Sequence, residues 1–167
     1  GVTPRQLQFE GIDHPKVLSY LQVLKDRMPV GKRVAIIGAG GIGFDTAEYL
    51  SHEGESASLN PEIFYAEWGI DTSYANVGGL KAPQLEKSER EIYLIQRKTA
   101  SVGASLGKTT GWIHRTGLKH RDVKMIAGAS YDKVDDQGLH ITVNGQTTIL
   151  EVDHVVICAG QESYTAM

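Results

Sequence analysis

An apolar run that closes on spaced glycines, VAIIGAGGIG (Val34–Gly43), is followed by alternating strand-like and helix-like segments and by one Asn-Gly hairpin signal. Together these predict an α/β chain with a Rossmann-like dinucleotide-binding fold: a central parallel sheet flanked by helices, with an antiparallel β-meander and a long insertion after the first helix of the unit.

Each element follows from the local pattern. Residues 1–12 are mixed and contain Gly and Pro, as in a linker. DHPKVLSYLQVLKDR then has helical spacing, with Asp13 or His14 as cap, Pro15 in the first turn, and Val17, Leu18, Leu21 and Leu24 on one face. Residues 1–30 are therefore expected to be a linker and a leading helix. KRVAIIG is apolar and β-branched, as a buried parallel strand requires. GIGFDTAEYLSHE supplies a helix whose Ile42, Ala47 and Leu50 can pack on a sheet. Residues 54–88 are rich in Gly, Ser, Pro and Asn yet carry Phe64, Tyr65, Trp68 and Tyr74; they read as an insertion loop with one helical turn near Ile63–Trp68. EIYLIQ is the second strand, LGKTTGWIHRTGLKHR a second helix broken by glycines, and DVKMIAG a third strand. Three short runs follow, divided at Gln137-Gly138 and Asn144-Gly145, the latter suited to the positive φ of a type I′ turn. HVVICAG closes the order as another buried strand. The dinucleotide domain is thus expected over 31–162, and 163–167 as a tail.

Composition narrows the function. The 167 residues suit one domain, and 17 basic against 20 acidic residues give a net charge of −3. No global field favours nucleic acid, so attraction for phosphate must be local. The longest purely apolar runs are far shorter than a bilayer span or a signal-peptide core. A single cysteine, Cys158, permits no internal disulfide, and a soluble, cytoplasmic protein is expected. A first residue of Gly rather than Met reads as a piece of a longer chain.

The glycines carry the chemistry. Gly38, Gly40 and Gly43 stand in G-x-G-x-x-G register. The first permits the tight turn, the second lets backbone approach a pyrophosphate, and the third lets helix and strand pack closely. Ala39, Gly41 and Ile42 complete the loop, and the anion would rest on the helix N-terminus. The ribose-reading residue normally follows by about 20 residues. Gln96 lies 53 residues beyond Gly43, a gap that closes once 54–88 is treated as inserted. The end of the second strand then carries Gln96, Arg97 and Lys98 where an NAD-binding domain would carry an acid. Cations there suit the 2′-phosphate of NADP(H); the plainer alternative is a solvated surface. Lys108, with Thr109 and Thr110, either contacts phosphate or caps the second helix, and His114-Arg115 faces either cofactor or solvent. The six histidines are scattered, so no metal ligand set and no catalytic acid or base emerges.

GKRVAIIGAGGIGFDTAEYL, EWGID, LIQRK, LGKTTGWIHR, VKMIAG and VVICAGQE, in this order, resemble the C-terminal region of the NADPH-dependent 2,4-dienoyl-CoA reductases, flavoproteins related to old yellow enzyme and trimethylamine dehydrogenase. The resemblance covers about residues 11–162. It implies a larger enzyme with an FMN-holding barrel that binds the dienoyl-CoA, a 4Fe-4S cluster, and a FAD domain interrupted by an NADPH domain, this chain matching the last. Hydride would go from NADPH to FAD and electrons through the cluster to FMN, to reduce dienoyl thioesters in unsaturated fatty-acid β-oxidation. FAD, FMN and the cluster, with the catalytic acid and cluster cysteines, would lie outside this chain, whose partners would be NADP(H), the FAD domain and the barrel. Within it the resemblance implies that Gly38, Gly40, Gly41 and Gly43 form the pyrophosphate loop, that Arg97 and Lys98 form the 2′-phosphate site, and that Ala159 and Gly160 form the strand end leading back to the FAD domain. The aromatics of 54–88 are expected to pack on that domain. The alternative is a stand-alone NADP(H)-binding or sensing domain; a self-sufficient dehydrogenase is disfavoured because no Tyr-x-x-x-Lys proton-donor pair stands at a suitable place.

Overall fold

A computed structural model of the protein describes residues 1–165. Its centre is a five-stranded sheet in which all neighbours run parallel: β2 (Val17–Ser19), β9 (His154–Ile157), β3 (Arg33–Ile37), β4 (Glu91–Ile95) and β5 (Lys124–Ile126), in that spatial order. The helices α1 (Tyr20–Leu24), α2 (Gly41–Ser51) and α4 (Gly111–His120) follow β2, β3 and β4. A separate three-stranded antiparallel sheet, β6 (Ala129–Asp135), β7 (Gly138–Val143) and β8 (Gln146–Leu150), is the expected meander. Its β7–β8 turn is the expected Asn-Gly hairpin, with φ of 50° at Asn144 and 77° at Gly145.

Strand alternation explains why the sheet is covered twice. On one face Val34, Ile36, Ile92, Leu94, Val156 and Cys158 join Phe44, Ala47 and Leu50 of α2 and Leu118 of α4 in one buried cluster. On the other, Ala35, Ile37, Ile95 and Val155 join Val134, Leu139, Ile141 and Leu150 of the meander. Burying each large aliphatic chain contributes about 1.5–3 kcal/mol, so neither face of the central strands tolerates a polar run. Helices cover one face and the meander takes the place of helices on the other.

The leading segment differs from expectation. The chain does not turn helical at Asp13: Val17–Ser19 extends and pairs in register with Val155–Ile157, and only Tyr20–Leu24 is α-helical. Ser19 is the cap, accepting from the Gln22 N–H at 3.2 Å while Gln22 Oε1 accepts from the Ser19 N–H at 2.8 Å. This capping box starts the helix six residues later than the apolar spacing suggests. Residues 1–12 are not free linker either. β1 (Val2–Pro4) pairs antiparallel with β10 (Gln161–Ser163), which runs from the end of the expected domain into the first residue of the expected 163–167 tail; residues 166 and 167 of that tail lie outside the described residues.

The 54–88 insertion holds more structure than one turn. α3 (Pro61–Trp68) starts at Asn60, whose Oδ1 accepts from the Glu62 N–H at 3.0 Å, with Pro61 at its first position and Gly69 closing it at φ 64°. The Trp68 ring lies 6.1 Å from Trp112 and 6.0 Å from His120, so this aromatic packs on α4 of its own chain. Beyond it, buried Asp71 accepts from the N–H groups of Ser73 (3.0 Å) and Asn76 (2.9 Å) and from both their side chains. The Ser73 hydroxyl first, then the Asn76 amide, hold its carboxyl well below the usual carboxylate range. A depressed carboxylate stabilises above its ordinary pKa of about 3.8 and loses that contribution as pH falls. Asp71→Ala is expected to lower the hydrogen-exchange protection factors of Ser73 and Asn76 while the β3–β4 amides stay protected, and acidification below pH 4 should lower the same two protection factors, each taken against the intrinsic rate at that pH, in the parent chain.

Candidate dinucleotide-binding site

Chain order runs outward from β3 in two directions, to β4 and β5 on one side and to β9 on the other. Such a reversal opens a crevice at the carboxyl ends of the strands, and the glycine turn lies at its mouth. Gly38 donates its N–H to Ile95 O at 2.8 Å, and Cys158 donates to Ile37 O at 2.7 Å, which ties the ends of β4 and β9 to the turn.

The glycines divide by role. Gly38 has φ 106°, and a Cβ there would stand 2.4 Å from Cys158 O and 2.9 Å from Ala159 Cα. A Cβ at Gly43 would stand 1.8 Å from Gly38 O. Both are fixed by backbone packing. At Gly40 and Gly41 nothing lies within 4 Å of a Cβ, and both are exposed. Gly40 is the N-cap of α2 and offers no side-chain acceptor. The helix's first recorded backbone bond, Phe44 N to Gly40 O at 3.0 Å, leaves the preceding N–H groups turned toward the crevice end. Open space, unclaimed N–H donors and the positive end of the helix dipole fit a pyrophosphate. Ala39 is buried and Ile42 half-buried against the helix-side core, so what either can offer an anion is backbone.

Gln96 follows directly on β4, whose Ile95 pairs with Ile37, and so stands beside the turn. Its side chain donates to Ala100 O at 2.6 Å and Lys98 O at 3.1 Å, and Gly128 N donates to Lys98 O at 2.9 Å. The backbone of this loop is thus pinned while the Arg97 and Lys98 side chains remain exposed, with no ion pair among the described residues. Ala159 and Gly160 are half-buried just after β9, Ala159 against Gly38 and Gly160 beside Arg5.

The remaining candidates fall elsewhere. Lys108 is exposed ahead of α4, whose cap Thr110 makes no side-chain cap bond; no contact joins Lys108 to the glycine turn among the described residues. Arg115 donates to Gly103 O at 2.9 Å, bracing the loop before α4, and His114 Nδ1 lies 3.9 Å from Glu48 Oε2. Cys158 is a core residue: burial pushes its thiol up to about 11, so it stays protonated near neutrality. Other histidines are tied to the scaffold, His14 to Asp136 at 3.0 Å and His140 to Asp135 at 2.9 Å. Sequence reasoning missed Arg5, whose N–H donates to Gly160 O at 3.0 Å and whose guanidinium stands beside Gly160. Only the β1–β10 pairing brings it there, so no local signal marks it.

A family model described as pyridine nucleotide-disulphide oxidoreductase matches residues 1–167. The chain belongs to the pyridine nucleotide-disulphide oxidoreductase family. Among curated relatives it is 26% identical over 160 residues to a cinnamate reductase of Clostridium sporogenes, covering 96% of this chain and 19% of that protein. Among solved structures, a 2-naphthoyl-CoA reductase complexed with 2-naphthoyl-CoA matches with TM-score 0.69 at 19% identity, over 97% of this chain and 19% of that one. An engineered water-forming NADPH oxidase bound to NADPH matches with TM-score 0.58 at 20% identity, over 99% and 30%. The chain spans between 19% and 24% of the curated relatives' lengths. Among the described residues no helix is long and apolar enough to cross a membrane.

For this member of the pyridine nucleotide-disulphide oxidoreductases the two kinds of glycine separate by experiment. Gly38→Ala combines a left-handed φ with a backbone clash and is expected to cost about 2 kcal/mol or more in urea unfolding. Gly40→Ala, at an N-cap with room for a Cβ, should cost less than about 1 kcal/mol in that transition yet weaken nicotinamide-dinucleotide binding, read by calorimetry.

Proposed function

We propose that the chain is the NADPH-binding module of a multi-cofactor flavin reductase of the 2,4-dienoyl-CoA reductase type. The observation that carries the cofactor choice is the pair Arg97 and Lys98, exposed on a pinned loop beside the Gly38–Gly43 turn, at the strand end where an acid would favour NAD. A guanidinium offers bidentate hydrogen bonds to a phosphoryl group and an ammonium a point charge. Gly40 and Gly41 would take the pyrophosphate, Gln96 would shape the ribose loop, and Ala159-Gly160 would border the crevice. Lys108 is proposed only as an outlying phosphate contact.

In the full-length protein FAD, a 4Fe-4S cluster and FMN would supply the redox chemistry between NADPH and a dienoyl-CoA thioester. This chain's part is to bind and orient NADPH so that its hydride reaches FAD. The cinnamate reductase and naphthoyl-CoA reductase neighbours, both reductases by name, support that direction; the dienoyl-CoA substrate rests on the sequence resemblance. The engineered NADPH oxidase, by its own description, loses an aspartate and gains two arginines, the same kind of exchange that Arg97 represents here.

Charged hydrogen bonds contribute about 1.5–3 kcal/mol each. The chain is therefore expected to bind NADPH at least tenfold tighter than NADH by calorimetry, and Arg97→Ala/Lys98→Ala to remove that preference while leaving NADH affinity in place. Equal affinity of the parent chain for both would defeat the NADP assignment. Oxidation of NADPH by the full-length protein with and without a dienoyl-CoA tests the substrate.

A further inference from the structure

At the C-terminal end of α2 a cavity of about 680 Å³ opens between α2, α3 and α4. α2 has 11 residues, so at about 1.5 Å per residue its last turn is roughly 15 Å along the helix axis from Gly41. We propose that this cavity is a second ligand site, taking a neutral, planar heteroaromatic molecule, and that it operates independently of the glycine turn.

Four observations converge. The volume falls in the range of small-molecule pockets, and the lining joins apolar and aromatic side chains, Phe64 and Trp68 of α3 among them, to a polar remainder of His, Ser and charged residues. The Trp68 ring is held edge-on by Trp112 at 6.1 Å and 82°, a fixed surface for a flat ligand to stack on. Both ring nitrogens of His52, at the cavity wall, are buried without a hydrogen-bond partner among the described residues. An imidazole always has one donor or acceptor to offer at each nitrogen, so the wall has polar capacity that the protein leaves unused.

The fourth observation is Gly117. His114, Gly117, Leu118 and Arg121 lie at the i, i+3, i+4, i+7 spacing of one helix face, and all line the cavity. Glycine is disfavoured against alanine in a helix interior. Gly117 has no positive φ to require it and no neighbour within 4 Å of its Cβ position to exclude a side chain. Its smallness keeps the cavity floor open and has no packing cause. Charge sets the ligand class. Arg121 lies 3.8 Å from Glu67, and Glu48 and Glu86 also line the wall, so an anion is not favoured, while the apolar and aromatic surface between them favours a ligand with no charge to desolvate.

Trp68 and Trp112 are the only tryptophans of the chain, and of the two only Trp68 lines the cavity, so its indole N–H signal is resolved and reports on this site. The full chain, labelled with 15N, would be titrated with quinoline, with and without excess NADP+. A saturable shift of the Trp68 signal, unchanged by NADP+ and absent with non-planar cyclohexanol, is expected. Gly117→Leu, which fills the floor and improves helix propensity, should weaken quinoline at least tenfold with no fall in melting temperature and no change in dinucleotide titration. No saturable shift, displacement of quinoline by NADP+, equal binding of cyclohexanol, or undiminished affinity in a folded Gly117→Leu would each overturn the proposal.

Discussion

The arrangement depends on one close approach. The carbonyl of Gly38 occupies the space that a side chain at position 43 would need, with 1.8 Å between that oxygen and a Cβ. Because neither residue carries a side chain, α2 can begin almost in contact with the end of β3. That proximity lets Phe44, Ala47 and Leu50 reach the sheet and form the helix-side core. The same turn presses on β9 through Cys158 O and Ala159 Cα. Three elements therefore share one glycine-lined joint, and the helix N-terminus is aimed at the crevice by packing, not by any ligand.

Two glycines of the loop do none of this packing. Gly40 and Gly41 have open space where a Cβ would be and no steric reason to be glycine. In a loop whose other glycines are fixed to within tenths of an ångström, such freedom is informative. It leaves the loop thin where, under the proposed reading, its backbone would approach a pyrophosphate. Packed and open glycines sit two residues apart and look alike in sequence; only the surrounding atoms distinguish them.

What the sequence showed and what it hid follow from the range of the forces involved. β3, α2, β4, α4, β5 and the meander were legible because each is marked locally, by β-branched runs, helical spacing or the Asn144-Gly145 turn. The 53-residue gap to Gln96 was legible as an insertion because the apolar runs on either side still read as adjacent strands. β2 was misread because Val17, Leu18, Leu21 and Leu24 satisfy helical spacing while Val17 and Leu18 are taken up by β9, in pairs 138 residues apart. Ser19 and Gln22 held the local clue, a capping box inside the supposed helix. β1 and β10 are three residues each and pair only with one another, so neither they nor Arg5 beside Gly160 could be placed from local pattern. The partners of Trp68 were missed for the same reason, since α3 and α4 are joined by packing alone.

The placement of Arg97 and Lys98 is the electrostatic counterpart of the glycine joint. A chain of net charge −3 has no long-range pull on a polyanion. Two adjacent cations with no ion-pair partner among the described residues repel one another, and most surface cations of this chain that approach carboxylates, such as Lys32 with Glu89 and Lys87 with Asp122, relieve that tension locally. At 97–98 the backbone is instead immobilised by Gln96 and Gly128, leaving the charges directed outward. Ordering a loop on binding subtracts from affinity; here that ordering is already complete before any phosphate arrives. Under the NADP(H) reading proposed above, a backbone already bonded in place beneath two unpaired charges is the arrangement that phosphate recognition calls for.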